Sequence, residues 1–165
     1  MKKALCLLIA LSAVLFLAPS SATTAPGPLP IPFVTDLIAG QHYDVGDVTV
    51  WNDNEFLYVN YAVQYVWLRL VWTHLHVATT LDGIPQNKNG IPVPGKFEYK
   101  VQHPRWIQDY TVKIPLDDSW LPGTEVCIAA HSVISGVCSI FATGWGNGLE
   151  FPGPTWGMYF MYTVQ

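Results

Sequence analysis

The chain has 165 residues with eight basic residues against twelve acidic ones, a formal net charge of −4, and only 12% charged residues beside 13% aromatic ones. This length suits one domain with a real core. The acidic balance, with no basic cluster, excludes nucleic acid and anionic membrane surfaces as partners.

Residues 1–22 have the form of a secretory signal peptide. Lys2 and Lys3 precede an apolar run from Ala4 to Ala18, and Ser20-Ser21-Ala22 supplies the small residues of a cleavage site. The expected location is therefore secreted or cell-surface, with no membrane attachment after cleavage. An uncleaved anchor is the alternative, since the run is near the lower length limit for a span. Residues 23–35 read as a Pro-rich extended leader, with prolines at 26, 28, 30 and 32. The single domain is then 36–165.

From Tyr43 onward the pattern is that of strands. Val45 to Trp51 alternates, Asn52-Asp53-Asn54-Glu55 reads as a turn, and Phe56 to Val63 as the returning strand. Val66 to Thr79 is a long β-branched and aromatic run, and Leu81 to Gly95 a loop punctuated by Asp82-Gly83, Asn89-Gly90 and prolines. Further strands are expected at 96–101, 107–114, 124–133 and 157–164. No segment holds a 3.6-residue apolar period, so helix should be scarce. The fold class expected is all-β: one antiparallel β-sandwich or jelly roll of about seven to nine strands.

His74-Leu75-His76 lies inside a strand-like run, so the two imidazoles share one face and Leu75 the other. His131 lies in a second such run. Three imidazoles converging from two strands would make a zinc or copper site, with His74, His76 and His131 as the ligands. A simpler reading has His74 and His76 facing solvent or hydrogen-bonding across the sheet, while Leu75 and Val77 fill the core. His42 and His103 are weaker candidates, and Glu98 and Glu125 are the nearest candidate general bases. Calcium is a second possible guest, with Asp44, Asp47, Asp53, Glu55, Asp117 and Asp118 as oxygen donors, although turn solvation also explains them. Seven tryptophans (51, 67, 72, 106, 120, 145 and 156) raise glycan binding, against their ordinary use as core and strand residues.

Cys127 and Cys138 remain after signal removal, and in an oxidising compartment the expected state is one disulfide between them. No Gly-x-Ser-x-Gly, His-Glu-x-x-His or phosphate-cradling loop occurs, so the chain leans away from an enzyme. Ser132 adjoins His131 but would face the other side of the strand.

Several phrases together span roughly residues 40–164: Ala39-Gly40-Gln41 with Val45-Gly46-Asp47-Val48 and Asn52-Asp53, His74-Leu75-His76-Val77-Ala78, Pro94-Gly95-Lys96-Phe97-Glu98-Tyr99, Ile128-Ala129-Ala130-His131, and Phe151-Pro152-Gly153 followed by Trp156 and Tyr159-Phe160. In these the chain resembles an exported domain that recurs in uncharacterised bacterial and archaeal surface proteins. The resemblance implies a secreted β-domain and little about chemistry. Such domains carry Glu-Thr-Ala-Trp-Gly where this chain has Ala142-Thr143-Gly144-Trp145-Gly146, so any acidic helper of the histidines is missing here.

The function expected is that of a surface, adhesive or matrix component, self-associating through its N-terminal arm or a sheet edge. A His-centred metalloprotein (hydrolase or oxidoreductase) and a carbohydrate-binding module are the alternatives.

Overall fold

The computed structural model describes residues 31–136 and 141–165; the expected signal segment, most of the expected leader and Cys138 lie outside them. Antiparallel strands account for nearly all its regular structure: β1 Phe33–Ala39, β2 Tyr43–Asn52, β3 Phe56–Val63, β4 Arg69–Ala78, β5 Tyr99–Gln102, β6 Asp109–Pro115, β7 Glu125–Ser135, β8 Phe141–Gly146, β9 Leu149–Glu150 and β10 Met158–Thr163. Two short 3-10 turns, Leu81–Gly83 and Pro94–Lys96, are the helical segments among the described residues.

The sheet order is β5-β4-β7-β8-β1-β2-β3-β6. This corrects the expectation of a two-sheet sandwich or jelly roll. One continuous sheet coils into a nearly closed barrel, and its two end strands, β5 and β6, are joined directly by residues 103–108. Coiling a twisted sheet on itself buries one face without needing a second sheet. Leu37, Val48, Val50, Leu57, Tyr61 and Leu75, all fully buried, fill that interior.

Sequence alternation placed the β2–β3 hairpin well. Asp53 closes its turn by accepting the backbone N–H groups of Glu55 (2.8 Å) and Phe56 (2.7 Å). The leader is corrected: its last residues are already strand. Phe33, Val34 and Thr35 pair with Val50, Thr49 and Val48, while further along β1 Leu37 to Ala39 pair with β8. Prolines stop at Pro32, and the β-branched and aromatic residues behind it find partners at once. The strand expected over 96–101 begins only at Tyr99, because Phe97 turns inward and is buried.

Strand β7 is buried on both faces, which decides where the histidines lie. On its inner face Val126, Ile128 and Ala130 meet the barrel core. On its outer face Cys127 and Ala129 pack in a second cluster with Trp145 of β8 and with Ile84, Phe97 and Phe151, brought over the sheet by residues 79–98 and 147–157. β7 is shared along one edge by β8 (at His131 to Ser135) and β10 (at Glu125 to Ile128).

Asn52 clasps the chain end. Its Oδ1 accepts from the Tyr162 hydroxyl (2.7 Å) and the Gln165 N–H (2.9 Å), and its Nδ2 donates to the carbonyls of Gln165 and Asp53 (both 2.9 Å). Gln165 in turn exchanges two bonds with the Ile31 backbone, at 3.0 and 2.9 Å. Asn52→Ala strands a buried hydroxyl and a backbone pair, and is expected to cost about 2–4 kcal/mol in urea unfolding. A loss under about 1 kcal/mol would show that water replaces the clasp.

Candidate functional site

Strands β4 and β7 pair so that His74 stands directly opposite His131. Parity behaves as the sequence predicts: Leu75 and Val77 enter the barrel core, and His74 and His76 share the outer face, both half-buried. Two of the three histidines meet. His74 Nδ1 and His131 Nδ1 lie 3.0 Å apart, one protonated and donating, the other accepting. The third does not join them: His76 Nδ1 accepts the Glu98 backbone N–H at 3.2 Å, and its ring lies against Phe97.

The pair belongs to a file of rings. Trp72 stacks on His74 (5.7 Å between centroids), and Trp145 meets His131 edge-on (4.7 Å) with Phe97 and Phe151 beyond it. Burial beneath these rings, and then the neighbouring His74, push the His131 pKa down to about 3. Burial also lowers His74, helped by the positive charge of Lys100. Both imidazoles are therefore neutral at pH 7, and the pair shares one proton between facing nitrogens. In this geometry the two nitrogens are hydrogen-bonded directly to each other. Among the described residues no group of three or more His, Cys, Asp or Glu side chains is placed to hold a metal.

The other candidates disperse. Ser132 is fully buried on the opposite face of β7, with no partner for its Oγ among the described atoms. Glu125 starts β7, six residues from His131, roughly 20 Å along the strand. Ala142 packs against the barrel core, on the face of β8 away from Trp145 and the histidines. A carboxylate at 142 would thus point away from the imidazole pair rather than complete it. The proposed calcium donors serve turns: Asp44 accepts from Gly46 N–H, and Asp117 from the Ser119 N–H and hydroxyl.

Cys127 is a free, buried cysteine with its Sγ 3.4 Å from Met161 Sδ, and burial raises its pKa. Cys138, its expected partner, lies outside the described residues. Ser135 and Phe141, which flank that stretch, pair with each other.

A different part of the molecule carries the exposed chemistry. The loops 64–68 and 103–108 lie side by side at one end of the barrel, tied by Gln108 Nε2 donating to the carbonyls of Tyr65 (2.9 Å) and Leu68 (3.1 Å) and by Leu70 N–H to Ile107 (2.7 Å). Most tryptophans are used inside the fold: Trp145 is buried, Trp120 and Trp156 pack against the two clusters, and Trp51 stacks on Tyr58. Trp67 and Trp106 are 52% and 68% exposed, and both belong to these loops. Trp67 stacks on Tyr65 at 4.9 Å, and Trp106 lies over the Arg69 guanidinium at 4.6 Å. Arg69, His103, Arg105 and Trp106 line a hollow of about 390 Å³ at this end, with Trp67 outside its lining.

The sequence reading passed over Arg69 and Arg105. They are 36 positions apart, and only the β4–β5–β6 topology joins them. The available hint was compositional: these are the chain's only two arginines, and each has a tryptophan within two residues, in Trp67-Leu68-Arg69 and Arg105-Trp106.

Compared with known proteins, the chain matches no family model, no curated protein and no solved structure, so its fold and its site stand on their own geometry.

Proposed function

We propose that this chain is an exported, non-catalytic recognition domain of a cell surface or matrix, and that it holds saccharide on the aromatic end of its barrel. One observation carries the reading: the exposed tryptophans Trp67 and Trp106 are gathered on adjoining loops beside an open hollow, while the other aromatic rings near them are used for packing. Exposed flat rings grouped at one end of the fold, one of them lining a hollow, offer stacking faces that suit the faces of sugars. The signal-like residues 1–22 support export. His131, buried against Trp145, and half-buried His74, stacked on Trp72, are bonded to each other, which supports a structural role for the pair.

A glycan array followed by calorimetry tests the reading. Trp106→Ala and Trp67→Ala are each expected to weaken binding of the best glycan about tenfold or more, in line with about 1–3 kcal/mol for a lost stacking contact, with the melting temperature unchanged. Absence of any glycan binding, or parental affinity in both variants, would sink it.

A further inference from the structure

From the pairing of the chain's two arginines at this end, we infer that the hollow between Arg69 and Arg105 is a subsite for the carboxylate of an acidic sugar, so that the ligand of the aromatic platform is a polyuronate-like glycan. The inference rests on the saccharide reading above and specifies its substrate class.

Three independent features meet there. The first is charge placement. The chain is acidic overall, yet Arg69 and Arg105 line the same hollow, and no Asp or Glu is among its lining residues. Arginine presents a planar fork of N–H donors that matches a carboxylate and stays charged at any working pH.

The second is preorganisation. Arg69 is held in place by a bond from its terminal nitrogen to the Gly136 carbonyl (3.3 Å) and by the Trp106 ring across its guanidinium face. His103 is fixed as well, its Nε2 3.0 Å from Thr73 Oγ1 and its ring against Tyr110 at 4.5 Å. Side chains already fixed lose little freedom when a ligand arrives.

The third is backbone strain. Trp106 has φ +78°, in the left-handed region that bulky residues rarely adopt, and it is mostly exposed. A strained conformation that brings no burial of its own ring points to a task for that ring at this place. Its task here is to face outward beside the Arg69 guanidinium, on the hollow that Arg105 also lines: a plane for a pyranose next to donors for its acid group.

The test compares polygalacturonate with its methyl ester, which keeps the same sugar ring and linkage but removes the charge. The parent protein is expected to bind the free acid at least about tenfold more tightly at low ionic strength, with the preference shrinking as salt rises. Arg105→Gln, at an exposed position, should abolish the preference, Arg105→Lys should restore part of it, and Trp106→Ala should weaken both polymers. Equal affinity for both polymers, each weakened by Trp106→Ala, would overturn this inference and leave the saccharide platform standing. A preference for the acid that survives in both Arg105→Gln and Arg69→Gln would also overturn it. Binding of neither polymer overturns it too, and the platform is then decided by the neutral glycans of the array.

Discussion

Acidification from pH 7.5 to 4.5 is expected to destabilise the protein steeply, and His131→Phe should remove about 2–3 kcal/mol of that loss. Folded His131 has a pKa of about 3, because burial opposes its charged form, whereas an unfolded histidine titrates near 6.5. Its folded pKa is depressed, so its contribution to stability is complete above about pH 6.5. Between that value and pH 3 the unfolded chain takes up a proton that the folded chain refuses, and stability falls by about 1.4 kcal/mol per pH unit. Two units inside the window give the stated figure, a large share of the roughly 5–15 kcal/mol that holds a typical domain. His74, His76 and His103, also lowered by burial, add in the same direction. Phenylalanine fills the site beside Trp145 without a titratable group, and leaves His74, half-buried, to bond with water. Urea unfolding at pH 7.5, 5.5 and 4.5 reads the effect as a difference of slopes. Equal slopes for parent and variant would mean that His131 is protonated in place.

Gly46→Ala is expected to cost more than about 3 kcal/mol and to lower Tm by roughly 10 °C or more, if the protein still accumulates in folded form. Gly46 forms the last pair of the β2–β3 ladder, opposite Val63 at the end of β3, with φ +153°. A Cβ there would run into the Ala62 carbonyl oxygen and crowd the Val63 backbone, neither of which can move without breaking the pairing. Gly95→Ala is the control: a Cβ at 95 meets nothing within 4 Å, so its effect should stay within about 0.5 kcal/mol. Thermal melts of the two variants beside the parent check the contrast. A Gly46→Ala melt close to that of the control would show that the two strands separate locally at little cost.

The elements that alternation could show were legible in the chain. The β2–β3 hairpin followed from alternating apolar residues and an Asp-initiated turn, and the division of His74 and His76 from Leu75 and Val77 followed from strand parity alone. β8 is not among the strands expected from the sequence, since Ala142, Gly144 and Gly146 lack β-propensity. The two glycines are present because a Cβ at 144 would strike Ser132 Oγ and one at 146 the Phe160 ring, so close packing erased the β-propensity that marks other strands. The meeting of His74 with His131 depends on β4 lying beside β7, a pairing of strands distant in sequence whose register has no local signature. Residues 79–98 are irregular, yet they deliver Ile84 and Phe97 onto the outer face of β7. Their role shows only once there is a sheet beneath them. The arginine pair has the same character: two loops meet only after the barrel has closed.

β1 sits between β2 and β8, pairing Leu37 with Gly146 across more than about 100 residues of chain. Because synthesis runs from the N-terminus, this strand emerges early and finds β2 within a few residues, while its other edge waits until nearly the whole domain exists. Until then that edge exposes unpaired backbone donors and acceptors to any neighbouring strand. Such distant closure gives a high contact order and folding on the millisecond-to-second scale of non-local β-proteins. This delay leaves β1 without its second partner until late, and ties formation of the barrel to arrival of its C-terminal third.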